Sequence, residues 1–294
     1  MKPRSSHVRL PIEICARDFG DPIYARAADG GRFRDVAWGE LPAYYDTPDE
    51  TWILIERNGS PFGIVDCGLS DGPDERLAPR MRQIGSHQIV AGDASLIEVL
   101  QRFTAGPPWF LLVLTGAQAT HWIEPLHLSS WPVKLAFLAK CLEVDEALEK
   151  VVQLNPKKYL EGFADVDWRR RTRETARQMY SRSAEPSDRE LVRCASFTDR
   201  WKMLKKHPDV LQKAVGFMDS QAAASSKNVD TVMRKTIDLR NALVHGHMIL
   251  PFPPRQFSAG MLPDERHWRD AGELYSTLLL IDQIVSSLNQ YART

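Results

Sequence analysis

The chain has 294 residues, of which 43% are hydrophobic and 26% are charged, as in ordinary soluble globular proteins; these fractions exclude a fibrous chain and a wholly disordered one. Lysine plus arginine and aspartate plus glutamate both number 38, so the net charge neither indicates nor excludes a nucleic-acid partner. At one domain per ~150 residues, the length predicts two domains.

Short apolar runs separated by glycine and proline fill the chain up to about Ser130. The runs at 52–55, 62–65 and 109–114 predict buried β-strands. Between the last two, ASLIEVLQRF (94–103) has apolar residues at helical spacing, and either Asp93 or Ser95 can cap this helix. The order of these elements predicts a mixed α/β domain over residues 1–130, with a faint internal duplication.

From Trp131 and Pro132 onwards the pattern is helical. VKLAFLAKCLEVDEALEKVVQL predicts one long amphipathic helix with the apolar residues Leu135, Leu138, Leu142, Ala147 and Val151. Further helices are predicted over 167–180, 188–204, 210–218, 230–244 and 266–291, with a proline-rich loop before the last of them. The predicted fold class is therefore α+β: a mixed α/β domain over 1–130, followed by a helical domain over 131–294.

Five arginines lie on or beside the predicted helix that begins at Asp167: Arg169, Arg170, Arg171, Arg173 and Arg177. A charge run of this kind is most often a solvated helix face. The alternative is a patch that binds the RNA backbone, and the sequence leaves both interpretations open.

The four cysteines are Cys15, Cys67, Cys141 and Cys194, which lie far apart and form no CxxC pair. They predict free thiols in a reducing cytoplasm, and they suggest neither a zinc site nor a disulfide framework. The N-terminus lacks the apolar run of a signal peptide, and no apolar run approaches the ~20 residues that a membrane helix needs. We therefore expect a cytoplasmic protein with no membrane partner.

The segment TIDLRNALVHG (236–246) carries the residues suited to catalysis. Asn241 and His245 are four residues apart and share one face of a helix that Gly246 can end, and the long side chain of Arg240 can reach the same site. An imidazole transfers protons near pH 7, a guanidinium binds phosphate oxygens, and an amide orients either group. No carboxylate cluster stands nearby to hold a divalent ion, which makes a two-metal nuclease a poor fit.

The stretch LRNALVHG resembles the signature of the HEPN family of helical ribonucleases and nucleotide-binding domains: Arg, a polar residue, three variable residues and His. The order of helices over roughly residues 133 to 292 is similar to that family as well. The resemblance implies a homodimer in which two motif helices face each other across a shared cleft. In it, His245 is the acid-base group, Arg240 the phosphate clamp and Asn241 its orienting partner.

The same resemblance implies a metal-independent endoribonuclease that acts in defence or stress responses. The ribose 2′-OH of the RNA substrate is then the nucleophile, and the products carry 2′,3′-cyclic phosphate and 5′-OH ends, so DNA is spared. Some members of the family serve only as dimerisation or nucleotide-binding modules. The alternative is therefore a non-catalytic dimeric binding or scaffold protein. In it, His245 is structural and interacts favourably with the negative end of the helix dipole.

Two stretches of the first domain, ETWILIERNGSPFGIVDCG (50–68) and VAGDASLIEVLQRFTAGPPWFLLVLTGAQATHWIEPLHL (90–128), resemble a pair of CBS modules. Such pairs often bind adenine nucleotides, so the resemblance implies an adenine-nucleotide effector that regulates the helical domain. We expect no cofactor. Glu124 and His127 stand where the second module would usually have Thr or Ser and the ribose-binding Asp, and the first module is irregular around Gly63, Asp66 and Gly68. A module that only packs or dimerises is the equal alternative.

Overall fold

The computed structural model describes residues 10–39, 52–66, 72–104, 110–161, 163, 166–180, 185–216, 226–245 and 271–294. The chain forms two compact units, one with the described residues from Glu13 to Lys134 and the other with those from Leu135 to 245 and from Glu273 to Thr294. In these residues, strands belong to the first unit and the second is helical, so the fold is α+β, as the sequence predicts.

Two mixed sheets form the first unit. The strands are β1 (Asp21–Pro22), β2 (Ala25–Ala28), β3 (Ala37–Trp38), β4 (Trp52–Arg57), β5 (Ser60–Asp66), β6 (Arg82–Gln83), β7 (Ile89–Ala91), β8 (Leu111–Thr115) and β9 (Gln118–Ile123). One sheet has the order β1-β9-β8-β7 and the other β3-β2-β4-β5-β6. Helix α1 (Leu96–Thr104) lies between β7 and β8 in the sequence. The three predicted strands correspond to β4, β5 and β8.

Both sheets contain the same structural repeat. In each, a short strand pairs in parallel with the first strand of a β-hairpin, β2 with β4 and β7 with β8. The two hairpins have the same register, as these pairs show: Ile53↔Val65 and Leu54↔Ile64 in the first, Leu111↔Ile123 and Leu112↔Trp122 in the second. A β-bulge interrupts both at the equivalent place, after Ile55 and after Val113. The faint duplication in the sequence therefore corresponds to two equivalent sets of strand pairings.

One edge strand of each sheet comes from the stretch of sequence that directly precedes the other repeat. β1 comes before the first repeat but pairs with β9 of the second, at Asp21↔Trp122. β6 comes before the second repeat but pairs with β5 of the first, at Arg82↔Ile64. Two isolated bridges show the same exchange earlier in these segments: Cys15 pairs with Ser95, and Arg76 pairs with Arg32. The two repeats are thus joined by an exchange of segments.

The hairpins also share a hydrophobic core. Leu54 and Ile64 of the first hairpin pack with their counterparts Leu112 and Trp122 of the second. The rings of Trp52 and Phe110, again at equivalent positions, stack with centroids 6.3 Å apart. Because these apolar side chains are buried against each other, the two repeats form one packed body.

The repeats differ in the segment after the parallel strand. In the second, Ser95 caps α1, because its backbone N–H donates to the Glu98 carboxylate at 2.7 Å and its hydroxyl accepts from the Glu98 N–H at 3.3 Å. In the first, Arg32 N–H donates to Asp35 at 2.9 Å in the same way, but the 3-10 turn Phe33–Asp35 ends at once and leads into β3. The cap of α1 is therefore Ser95, the second of the two predicted candidates.

The second unit is built from helices. Its elements are the larger part of α2 (Trp131–Gln153), then α3 (Pro156–Leu160), α4 (Val166–Tyr180), α5 (Asp188–Cys194), α6 (Phe197–Lys205), α7 (Pro208–Gly216), α8 (Ser226–Val244) and α9 (Ala271–Tyr291). The predicted helix over 188–204 is wrong as a single element. Ser196 begins a new helix there, since its hydroxyl and the Asp199 carboxylate form a capping box.

The buried face of α2 differs from the predicted one. Val133, Phe137, Val144 and Leu148 are fully buried, together with Ala147 and Val151 of the predicted face. Leu135 and Leu142, which are predicted to lie on the apolar face, are exposed. The helix is apolar over more than one face, so residue spacing alone did not identify the face that packs.

Ion pairs connect the helices of the second unit, and the cations of two of them, Arg200 and Lys140, are buried. The Arg200 guanidinium of α6, 7% exposed, donates to Asp145 at 2.6 Å and to Glu149 at 3.1 Å, both on α2. Lys140 of α2 pairs with Asp282 of α9. Lys205 of α6 lies 2.9 Å from Asp230, near the start of α8. The two buried cations thus connect α2 to α6 and α9, and an exposed pair connects α6 to α8.

Candidate functional site

The candidate site lies at the C-terminal end of α8, and the rest of that helix is anchored in the core. Val232, Met233, Thr236, Leu239 and Leu243 are buried along one face. Within that face, the Thr236 hydroxyl donates to the Val232 carbonyl at 2.8 Å, one turn back. This apolar face holds the helix in place and leaves the opposite side of its last turns for polar groups.

The structure brings two of the three predicted side chains into direct contact. Arg240 Nη1 donates to the side-chain oxygen of Asn241 at 3.1 Å. Asn241 is exposed, whereas Arg240 is half-buried. His245 follows the last residue of α8, is exposed, and donates its backbone N–H to the Asn241 carbonyl at 3.0 Å. The three residues therefore occupy one helix end, with the guanidinium and the amide already paired.

The inner side of this site is formed by α2. The Cys141 sulfur lies 3.8 Å from the Thr236 carbonyl of α8. Burial raises the pKa of the Cys141 thiol to about 12, against the positive field of Arg240, which lowers it. Cys141 is thus a neutral packing residue between α2 and α8.

The three apolar residues that flank the motif lie in different environments. The sequence predicts that Leu239, Leu243 and Val244 form the apolar flanks that bury the helix. Leu239 and Leu243 are buried, but Val244 is 51% exposed beside His245. The assignment is therefore wrong for Val244. Gly246, the predicted end of the helix, lies outside the described residues.

The arginines of α4 form a solvated face in which several charges are paired. Arg173 and Arg177 both contact Glu185, at 2.7 and 2.8 Å, and Arg170 contacts Asp167 at 3.6 Å. Trp168, Thr172 and Ala176 form the buried face of the helix. Ion pairs of this exposed kind contribute little to stability, and a polyanion can compete for them.

Glu124 and His127, which the sequence resemblance predicts to stand at ribose-binding positions, are engaged by neighbouring groups of the protein. The Trp52 indole N–H donates to Glu124 Oε1 at 3.0 Å. His127 Nδ1 accepts the Glu124 backbone N–H at 2.7 Å, and His127 Nε2 lies 3.0 Å from Asp21. These contacts connect the end of β9 to β4 and β1, so they hold the two repeats together.

Two further properties concern the described part of the chain. Within it, His, Cys, Asp and Glu side chains form no group of three that would suit a metal ion. None of its helices combines the length and the apolar character needed to cross a membrane.

Comparisons with known proteins give little independent information. No protein-family model and no curated protein matches the sequence. Among solved structures, the chain is similar to protein MJ1004 from Methanocaldococcus jannaschii, with 13% sequence identity, 78% of this chain and 100% of that chain covered, and a TM-score of 0.33. A similarity at this level supports no conclusion about activity, which has to be argued from the site at the end of α8.

Proposed function

We propose that the protein is a metal-independent endoribonuclease of the HEPN type, with Arg240, Asn241 and His245 as its catalytic residues. The observation that carries the proposal is the pairing of Arg240 with Asn241 on the last turns of α8, next to an exposed His245. In this architecture the N-terminal unit is a CBS-like pair and the helical unit is the nuclease domain. We also propose that the protein acts in cellular defence or in a stress response.

The chemistry follows from the three groups. His245 takes the proton of the ribose 2′-OH or returns one to the 5′-oxygen leaving group, because imidazole does both near neutral pH. The Arg240 guanidinium binds the non-bridging phosphate oxygens and stabilises the charge that develops on them. Asn241 accepts from Arg240 and so fixes the direction of the guanidinium. The reaction leaves a 2′,3′-cyclic phosphate and a 5′-OH end.

The proposed active form is a homodimer in which two α8 helices face one shared cleft. Exposed apolar side chains on the helical unit support this arrangement: Leu142 of α2 is 56% exposed and Val244 of α8 is 51% exposed. Each such side chain contributes ~1.5–3 kcal/mol when it is fully buried. Light scattering on the full chain is expected to show a dimer at micromolar concentration, and Val244→Asp is expected to weaken it.

Regulation by an adenine nucleotide at the N-terminal unit is part of the same proposal. A ligand that changes the packing of the repeats would act on a dimeric cleft through a small rotation of subunits. Calorimetry on the full chain with ATP, AMP and a cyclic nucleotide tests this part separately, since binding is measured without any cleavage.

RNA cleavage in the presence of EDTA is the experiment that tests the activity. Wild-type protein is compared with His245→Ala and Arg240→Ala, and with the control Arg234→Ala, which removes an exposed cation from the same helix. General acid–base groups contribute ~100- to 10,000-fold, so His245→Ala is expected to abolish detectable cleavage while Arg234→Ala retains it. Product ends are identified by phosphatase sensitivity, and a 2′-deoxy substitution at the scissile nucleotide is expected to block the reaction.

Several results would contradict this mechanism: full activity of His245→Ala, activity that EDTA removes, or cleavage of the 2′-deoxy substrate. An inactive wild-type protein is tested again with each nucleotide and by growth arrest on expression in cells. If cleavage is absent in all of these conditions, the alternative of a dimeric binding or scaffold protein takes its place.

A further inference from the structure

A cavity of about 490 Å³ opens in the first unit at the carboxyl ends of the parallel strands β7 and β8. Its polar lining consists of Arg17, Asp93, Arg102, Thr115 and the backbone of Gly92 and Gly116. Arg17 lies in the 3-10 turn Ala16–Asp18 and Arg102 in the last turn of α1. The cavity is at the opposite end of these strands from Glu124 and His127, which follow the carboxyl end of the antiparallel strand β9.

The repeat supplies an internal comparison for this cavity. At the equivalent place in the first repeat, the Arg57 guanidinium lies 2.6 Å from Asp29 and 3.4 Å from the centroid of the Phe62 ring. Thr115 and Gly92 are the counterparts of Arg57 and Asp29: the Asp29 N–H donates to the Glu56 carbonyl, and the Gly92 N–H to the Leu114 carbonyl. An arginine and an aspartate in one repeat are thus a threonine and a glycine in the other.

A second ion pair of the first repeat also has no counterpart in the second. Arg26 and Glu56, on the parallel pair β2 and β4, lie 2.6 Å apart. Their counterparts are Ile89 and Leu114, which line the cavity instead. Where the first repeat neutralises its own charges, the second has small and apolar residues and leaves space.

The cations of the second repeat come from outside the strands. Arg17 and Arg102 are exposed, and their guanidinium groups form no ion pair or hydrogen bond with any residue that the structure describes. Arg17 belongs to the exchanged segment that precedes the first repeat, and its backbone N–H donates to the Gly92 carbonyl at 3.2 Å. The exchange therefore delivers one cation to the cavity. α1 delivers the other, and at the equivalent place in the first repeat the described residues form the 3-10 turn Phe33–Asp35 and β3 instead.

We infer that this cavity binds a phosphorylated sugar, free or as part of a nucleotide. Two guanidinium groups are suited to the dianion of a phosphate monoester, because each can donate two hydrogen bonds to its oxygens. The Asp93 carboxylate on the same lining accepts hydrogen bonds from sugar hydroxyls, and it disfavours a ligand that is only an anion. The volume of the cavity is within the usual range for small-molecule sites.

Isothermal titration calorimetry on the full chain tests this inference with three probes: inorganic phosphate, ribose 5-phosphate and AMP. Ribose 5-phosphate is expected to bind more tightly than inorganic phosphate, and AMP at least as tightly as ribose 5-phosphate. Arg17→Gln and Arg102→Gln are each expected to weaken ribose 5-phosphate binding at least tenfold. Arg82→Gln is the matched control, since it removes an exposed arginine of β6 that does not line the cavity, and it is expected to bind as wild type does.

A double variant, Gly92→Asp with Thr115→Arg, rebuilds the ion pair of the first repeat inside the second and is expected to abolish binding. Its folding is checked by thermal unfolding, and the single glutamine variants decide the matter if it does not fold. No saturable binding of any probe at millimolar concentration would overturn the inference, as would affinities that both glutamine substitutions leave unchanged. The inference names a site for the adenine nucleotide proposed for this unit and rests on that part of the proposed function. Nucleotide binding that neither glutamine variant weakens would reject this cavity and leave the proposed regulation intact, and all of these readouts are independent of RNA cleavage.

Discussion

Gly63 of β5 lies directly against Met81: a Cβ atom on Gly63 would come within 2.6 Å of the Met81 sulfur and 2.9 Å of the Arg82 carbonyl. The second repeat reverses this arrangement. There His121 takes the place of Gly63, and Gly20 takes the place of Met81, with the two again in contact. Each repeat therefore has one large and one small residue at this crossing, on opposite partners.

Gly63→Ala is expected to destabilise the protein by about 1–3 kcal/mol, the usual cost of adding a methyl group to a filled site. Combining it with Met81→Ala is expected to restore part of the loss, because the two residues share one space and their effects are not additive. Ser60→Ala, an exposed change on the same strand, is the control. Urea unfolding measures all four proteins, and a Gly63→Ala variant as stable as wild type would contradict the packing described.

Asn241→Asp is expected to reduce RNA cleavage more than Asn241→Ala does. The carboxylate would pair with Arg240, which already donates to this side chain at 3.1 Å, and would cancel the positive charge that the phosphate needs. Asn241→Ala leaves the guanidinium charged but free to move. The cleavage rates of both variants at equal RNA concentration decide the point, and equal activity of Asn241→Asp and wild type would exclude a phosphate clamp at Arg240.

Arg200→Ala is expected to destabilise the helical unit by ~3–5 kcal/mol, because it leaves the Asp145 and Glu149 carboxylates without their buried cation. The main-chain carbonyls of Val192 and Arg193 would lose a donor as well. Arg193→Ala, an exposed change whose side chain lies 3.8 Å from Glu149, is expected to cost under about 1 kcal/mol. Thermal and urea unfolding are compared for the two variants, and similar losses in both would argue against a buried network.

The stability of the first unit is expected to fall as the pH drops below about 6.5. Burial lowers the pKa of His121, while Asp21 and Asp18 oppose the shift. A proton is then bound more tightly by the unfolded chain than by the folded one, so acid favours unfolding through this group. The free energy of unfolding between about pH 7 and pH 5 is expected to vary less in His121→Gln than in wild type. Equal slopes would mean that His121 has no part in the pH dependence.

The elements that the sequence predicted well are those with a strong local signal. β4, β5 and β8 are continuous apolar runs, and α1 has both helical spacing and the Ser95 cap. The break between α5 and α6 was missed although Ser196 and Asp199 carry its signature, because the apolar pattern continues across it. The two-residue strands β1 and β6 have no pattern of their own, since pairing with a distant hairpin creates them.

The two candidate sites also differ in how much of them a local sequence pattern can predict. Arg240, Asn241 and His245 are close in the sequence, so helical periodicity is enough to place them together. Arg17 and Arg102 are far apart in the sequence, and only the exchange between the repeats brings both to one cavity. No local pattern marks them. The sequence does not predict the exposure of Leu142 and Val244 either, because exposure depends on which helix face the tertiary structure covers.

The exchange of edge segments also limits how this unit can fold. A nascent chain that has made only the first repeat lacks β6, so the outer strand of its hairpin still presents unpaired backbone groups. β1 in turn has no partner until β9 has been synthesised, close to the end of the unit. Pairings between such distant segments form slowly, because long loops must close first. The two repeats consequently reach their native state together, and neither is an independent folding unit.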